Sequence, residues 1–267
     1  MDEPVSVERK DGIATLLLNR PGRLNALDLG MAQALLQNLQ ELRHDPRISA
    51  IVITGSGRAF SAGGDLRWAR EQAAGLEAAF HLLAGCFHQS VIEIASIEKP
   101  MIVAINGVAA GAGFSLALAC DFRVMDRTAT LKQAYTSSGL SIDGGGTFAL
   151  PRLVGLARAL EIAAMDAPIN ARVAHAMGLV TRLAEEGRAA EEARSFARDL
   201  SQRSLTSFGW SKRLLRNSFH HSLESQLEWE RQGIVACSAS PEGKEGLEAF
   251  VNKRAPDYRQ VRDRTNS

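Results

Sequence analysis

At 267 residues, with 31 basic and 30 acidic side chains and a pI near 7.8, the chain has the size of one substantial domain and no charge excess suited to nucleic acid or an acidic membrane. Any anionic ligand must be met by local groups. Cys86, Cys120 and Cys237 are too few and too widely spaced for a disulfide framework or a metal knuckle, and read as core thiols of a reducing compartment.

The N-terminal stretch MDEPVSVERKDG is charged and lacks the apolar run of a signal peptide, and no stretch approaches a membrane span. A cytoplasmic enzyme with no membrane and no nucleic-acid partner is the expectation. Ile13 to Leu18 (IATLLL) reads as a strand, broken by Asn19-Arg20-Pro21-Gly22. Asp28 is placed to cap a helix to about Arg43, with Met31, Leu35, Leu39 and Leu42 along one face. Ala50 to Thr54 is a second strand, and GSGRAFSAGGDL (55 to 66) a glycine-rich loop opening a helix. Leu76 to Ile97 is helical until Lys99-Pro100.

Next comes MIVAI, a buried strand at 101 to 105, followed by NGVAAGAGFSLALACD, a small-residue turn that becomes an apolar helix. A helix beginning near Gly111-Ala112-Gly113 directs unpaired N–H groups outward, which suits a phosphate or a developing oxyanion. FRVM and TATL are short strands, and YTSSGLSIDGGGTFALPRLVG makes a third loop-to-helix transition. Leu156 to Met165 and Ala171 to Met177 are helices, and 179 to 183 a last strand. From Gly187 to Val251 the pattern is almost continuous helix, with breaks at 204 to 207 and at Ser240-Pro241. The polar end, KRAPDYRQVRDRTNS, is expected to be loose. Alternating strands and helices followed by helix alone predict an α/β core with a helical annex.

Five segments, in order, resemble the enoyl-CoA hydratase/isomerase (crotonase) family: NRPGRLNAL (19 to 27), GSGRAFSAGGDL (55 to 66), KPMIVAINGVAAGAGFSLALACD (99 to 121), SGLSIDGGGTFALPRLVG (138 to 155) and EAFVNKRAP (248 to 256). The resemblance implies an α/β spiral of ββα turns (1–200) binding an acyl-CoA thioester, and a C-terminal helical region (201–267) used to form a homotrimer or hexamer. It implies no metal and no cofactor, coenzyme A entering as part of the substrate. It places two backbone oxyanion donors at Ala62 and Ala112. Coenzyme A contacts fall by similarity at Arg23, Leu24, Ala26, Ala62, Gly63, Gly64, Asp65 and Leu66, and at Phe250 and Lys253 of a neighbouring subunit. Asp65 also reads as a turn or cap residue.

Hydratases of the family use two glutamates, and the positions that match them hold Ser115 and Tyr135, neither of which does a carboxylate's work near neutral pH. Tyr135 remains a substrate-lining candidate. The remaining carboxylate is Asp143, in SIDGGGT, which resembles the single-aspartate isomerase branch. One acid suffices to move a proton from the α- to the γ-carbon of a Δ3-enoyl-CoA. An apolar pocket of Phe114, Leu140, Ile142 and Phe148 is expected around it. Two alternatives stand beside the isomerase. The first is an aromatic acyl-CoA dehalogenase or hydrolase using Asp143 as nucleophile; the dehalogenase branch uses an aspartate here in that way, aided by a helix histidine matching His88 and a tryptophan where this chain has Tyr135. A non-catalytic acyl-CoA-binding protein is the other.

Overall fold

The computed structural model describes residues 3–265. Strand β1 (Val5–Lys10) turns through Asp11 and Gly12, both at positive φ, into antiparallel β2 (Ile13–Leu18); an Asp-Gly pair with this backbone is a hairpin signal that also marks β1, a strand absent from the sequence reading. Helix α1 (Leu29–His44) follows, capped by Asp28, whose carboxylate accepts from the Met31 amide at 2.9 Å. Met31, Leu35, Leu39 and Leu42 are fully buried, at about 1.5–3 kcal/mol of transfer free energy each. The chain continues through β3 (Ala50–Gly55), β4 (Ala59–Ser61), α2 (Leu66–Arg70) and α3 (Leu76–Ser96). Then come β5 (Met101–Ile105), β6 (Val108–Ala110), α4 (Ala112–Ala119), β7 (Phe122–Asp126) and β8 (Thr130–Lys132).

Successive turns of chain send one strand to each of two sheets. The larger has the order β1-β2-β3-β5-β7-β10, parallel from β2 onward; the smaller runs β4-β6-β8-β9. This pairing of β3 with β4, β5 with β6, and β7 with β8 along the chain is the expected spiral. Helices α5 (Gly146–Val154), α6 (Leu156–Met165) and α7 (Ala171–Ala176) flank β9 (Ile169–Asn170), and β10 (Arg182–Ala184) closes the large sheet. The last strand is therefore shorter and later than the apolar run at 179 to 183 suggests, because Leu179 and Val180 fill the core before pairing begins. Helix α8 (Ala189–Ser201) covers the second face of the sheet with Ala189, Ala193, Phe196 and Ala197. Cover on both faces explains why these parallel strands read as continuous apolar runs.

The annex comprises α9 (Leu205–Asn217), α10 (Leu223–Ala239), α11 (Pro241–Val251) and α12 (Tyr258–Thr265). A break at Ser218–His220 adds to those read from the sequence. A buried ammonium docks α9 on the core: Lys212 Nζ donates to the carbonyls of Ile94 (3.0 Å) and Ile97 (2.7 Å) and to Asp121 (2.8 Å), which Arg216 also reaches at 3.1 Å. The polar end is helical from Tyr258 to Thr265 rather than loose, and Asn266 and Ser267 lie outside the described residues. Arg262 of α12 pairs with buried Glu242, which also accepts from Ser204, so charge rather than apolar surface holds that helix. Of the three cysteines only Cys120 is a core thiol; Cys86 and Cys237 are half-buried. No helix among the described residues is long and apolar enough to cross a membrane.

Candidate active site

Two small-residue turns lie against one another where the sheets meet. The turn 61 to 65 runs parallel to 24 to 27: Leu27 N–H donates to Gly63 C=O at 2.7 Å and Asp65 N–H to Leu27 C=O at 2.8 Å. Close approach to α4 requires glycine. A Cβ on Gly63, at φ +95°, would stand 2.8 Å from the Ala110 carbonyl oxygen and 3.1 Å from the Ala112 nitrogen, and one on Gly113 would stand 2.5 Å from the Ser61 carbonyl oxygen.

Ala112 opens α4, so its N–H has no intrahelical partner, and no acceptor lies on it among the described residues. Ala62 is different. Its N–H donates to Leu24 C=O at 2.9 Å and is already used. Two residues on, Gly64 lines the same cavity and its N–H has no acceptor among the described residues. A Cβ there would meet nothing nearer than Leu83, at 4.0 Å. Gly64 and Ala112, on the two abutting turns, thus each bring an amide without an acceptor among the described residues to the cavity lining, which corrects the pairing of Ala62 with Ala112. Sequence could not supply the phase, because which amides of an extended segment point to its neighbour depends on register.

The cavity, about 370 Å³, is walled by Leu27, Leu66 and the Phe80, Leu83, Ala84 and Phe87 side of α3, and reaches Tyr135, Leu140 and Asp143. Phe80, Ala84 and His88 recur at four-residue spacing on this helix, which is the signal that carries His88 to the site. His88 Nε2 lies 2.6 Å from Asp143 Oδ1, with the two side chains 45% and 38% exposed. The expected pocket of four apolar residues does not form around the carboxylate. Only Leu140 of the four lines the cavity; Phe114 is fully buried, and Phe148 faces a separate apolar cleft beside α9.

Ser115 is 1% exposed, and its hydroxyl donates to the Asp143 carbonyl at 2.6 Å and lies 3.3 Å from Tyr135 Oη. Burial pushes the Tyr135 phenol up to about 12, so it stays neutral near pH 7. Asp65 caps α2 through the Trp68 amide at 3.1 Å and pairs with Arg20 at 3.0 Å. Burial opposes its charge, but the amide and the guanidinium outweigh burial and hold the carboxyl below its ordinary value. Arg20 also donates to Ala26 C=O at 2.6 Å. Leu24 and Asn25 both sit at positive φ, fixed by the buried Asn25 amide, which donates to Ser56 C=O at 2.9 Å and Ala59 C=O at 2.8 Å. Arg23 is exposed at the entrance to this loop. Phe250, 83% exposed, and Lys253 lie at the end of α11 and do not line this chain's own cavity.

Residues 8–262 match the family model described as enoyl-CoA hydratase/isomerase. The chain is 34% identical over 248 residues to a 1,2-epoxyphenylacetyl-CoA isomerase of Escherichia coli, covering 92% of this chain and 95% of that protein. It is 35% identical to a 4-chlorobenzoyl coenzyme A dehalogenase of Arthrobacter, with coverage of 94% and 92%. The crystal structure of an enoyl-CoA hydratase from Polaromonas superposes with a TM-score of 0.90 at 34% identity, covering 94% of this chain and 98% of that one.

Proposed function

The chain belongs to the enoyl-CoA hydratase/isomerase family, and from that premise we propose that it is an acyl-CoA isomerase that moves a double bond by a single-base proton shuttle. The carrying observation is that, among the described residues, Asp143 is the only carboxylate lining a cavity that also presents the unpaired amides of Gly64 and Ala112. In a Δ3-enoyl-CoA, Asp143 takes the α-proton, the C2–H electron pair enters the thioester as an enolate, and both amides donate to the oxygen. The double bond then shifts to C2–C3 as the same carboxyl returns its proton to the γ-carbon. His88 holds Asp143 through Oδ1, leaving Oδ2 for the proton. Among the described residues no second carboxylate lines the cavity to activate water, which favours isomerisation over hydration. Asp143→Asn is expected to lower kcat for Δ3-enoyl-CoA isomerisation by about a hundredfold or more; full activity in that variant would overturn the assignment.

The contact between His88 and Asp143 favours one further reading, in which Asp143 attacks the halogen-bearing ring carbon of an aromatic acyl-CoA, halide leaves as the aryl ester forms, and His88 takes a proton from the water that hydrolyses that ester. Single turnover of 4-chlorobenzoyl-CoA in H2(18)O separates the two, since the ester route leaves label in Asp143. Turnover of neither substrate, with binding retained, would favour a non-catalytic acyl-CoA-binding protein. Exposed Leu223, Leu227, Ile234, Val235, Leu247 and Phe250 on α10 and α11 support contact with a neighbouring subunit, in a homotrimer or hexamer, as the working assembly.

A further inference from the structure

The Asp143 side chain is more than a third exposed, and among the described residues His88 alone is in polar contact with its carboxylate, so packing does not fix the direction of the carboxyl group. Its main chain is held far more firmly. The Asp143 carbonyl accepts from Ser115 Oγ at 2.6 Å and from Gly146 N–H at 3.1 Å. A hydroxyl has one proton, and Ser115 uses it on that carbonyl; the 3.3 Å contact with Tyr135 Oη therefore has the phenol as donor and Ser115 as acceptor. Both hydroxyls are buried, with Ser115 1% and Tyr135 8% exposed. The glycines after Asp143 let the loop press directly on Ser115: a Cβ on Gly144 would lie 3.1 Å from Ser115 Cβ, and one on Gly146 would lie 2.8 Å from Ser115 Oγ.

We propose that Tyr135 and Ser115 form a directed hydroxyl relay that holds the Asp143 main chain, and that they act as positioning residues which never exchange a proton with substrate. The inference rests on Asp143 as the base. Each hydroxyl is engaged along the line from Tyr135 to Ser115 to the Asp143 carbonyl, so neither donates to the acyl group or to water. Loss of the relay lets the Asp143 backbone shift, and a displacement of about 1 Å at a reacting group costs on the order of a hundredfold in rate.

The test uses the full-length protein with Ser115→Ala, Tyr135→Phe, the double variant and Asp143→Asn. It measures kcat and KM for a Δ3-enoyl-CoA, and deuterium exchange at the α-carbon of butyryl-CoA in D2O. Ser115→Ala is expected to lower kcat and exchange about ten- to a hundredfold with KM changed less than about twofold. Tyr135→Phe is expected to lower kcat about threefold, and to have a smaller effect once Ser115 is alanine, because part of its hold on Asp143 runs through that hydroxyl and the rest through the Asp143 main chain directly. Unchanged kcat in Ser115→Ala while Asp143→Asn is inactive overturns the relay alone. An undiminished Tyr135→Phe effect in the Ser115→Ala background also overturns it. Full activity and exchange in Asp143→Asn overturns the base assignment instead. If Ser115→Ala fails to fold, Tyr135→Phe carries the test: its packing is kept, and wild-type kcat would refute the relay.

Discussion

Adding one methyl group at Gly144 should disturb both the stability and the activity of this protein, by amounts that can be separated. Gly144 has φ +61°, and a Cβ there would stand 2.3 Å from Phe87 Cε1 and 3.1 Å from Ser115 Cβ. The left-handed backbone alone costs a β-carbon about 1–2 kcal/mol. Relief of the overlap in a packed core adds about 1–3 kcal/mol, so Gly144→Ala should lose about 2–5 kcal/mol. Gly139 supplies the reference: it has φ +70° and nothing within 4 Å of an added Cβ, so Gly139→Ala should lose only the backbone part. Urea unfolding at one fixed protein concentration measures both. A third variant tests the cause. Phe87 is 2% exposed and its removal is itself costly, but in a Phe87→Ala background the excess of Gly144→Ala over Gly139→Ala should shrink towards zero. Because the shifted residue adjoins Asp143, kcat should fall in Gly144→Ala and hold in Gly139→Ala. Equal losses of stability in the two alanine variants would refute the reasoning.

Other perturbations follow from the same contacts. Lys212→Ala strands two carbonyls and part of the Asp121 charge at the junction of α9 with the core, and should cost about 3–5 kcal/mol in urea unfolding; a loss below about 1 kcal/mol would show that Arg216 and the Met101 amide suffice for Asp121. Tyr135 makes stability depend on alkaline pH. Burial lifts its folded pKa to about 12, above the ordinary phenol value of about 10, so the folded chain binds more protons between those values, and stability present below pH 10 should be lost as pH rises towards 12. Tyr135→Phe should flatten that slope in urea titrations; an unchanged slope would assign it to other groups.

Much of this architecture was legible before any coordinates. Asp28 and Asp65 cap the helices that the sequence places after them, and the apolar runs at 50 to 54 and 101 to 105 became adjacent parallel strands, because each signal is local. What failed depended on partners distant in the chain. No apolar stripe announces α12, since Arg262 holds it through Glu242, which lies twenty residues earlier. The pocket expected around Asp143 drew on Phe114 and on three residues close in sequence, whereas one of its main walls comes from α3, more than fifty residues upstream. Ala62 was the natural donor by motif, but the carbonyl that engages it belongs to Leu24. His88 needed only the four-residue spacing from Phe80 and Ala84, a local signal that gains meaning once the wall they line is known.

The two unpaired amides have a consequence for how such a protein can change. They belong to the main chain, so no codon replacement at Gly64 or Ala112 other than proline deletes an N–H, provided the backbone keeps its course. The part of the apparatus that receives negative charge is thereby shielded from most point mutation, while every group that handles protons is a side chain and open to it. Lineages descended from such a chain can exchange one reaction for another by altering positions such as 88, 115, 135 and 143, and inherit the charge-receiving cradle intact.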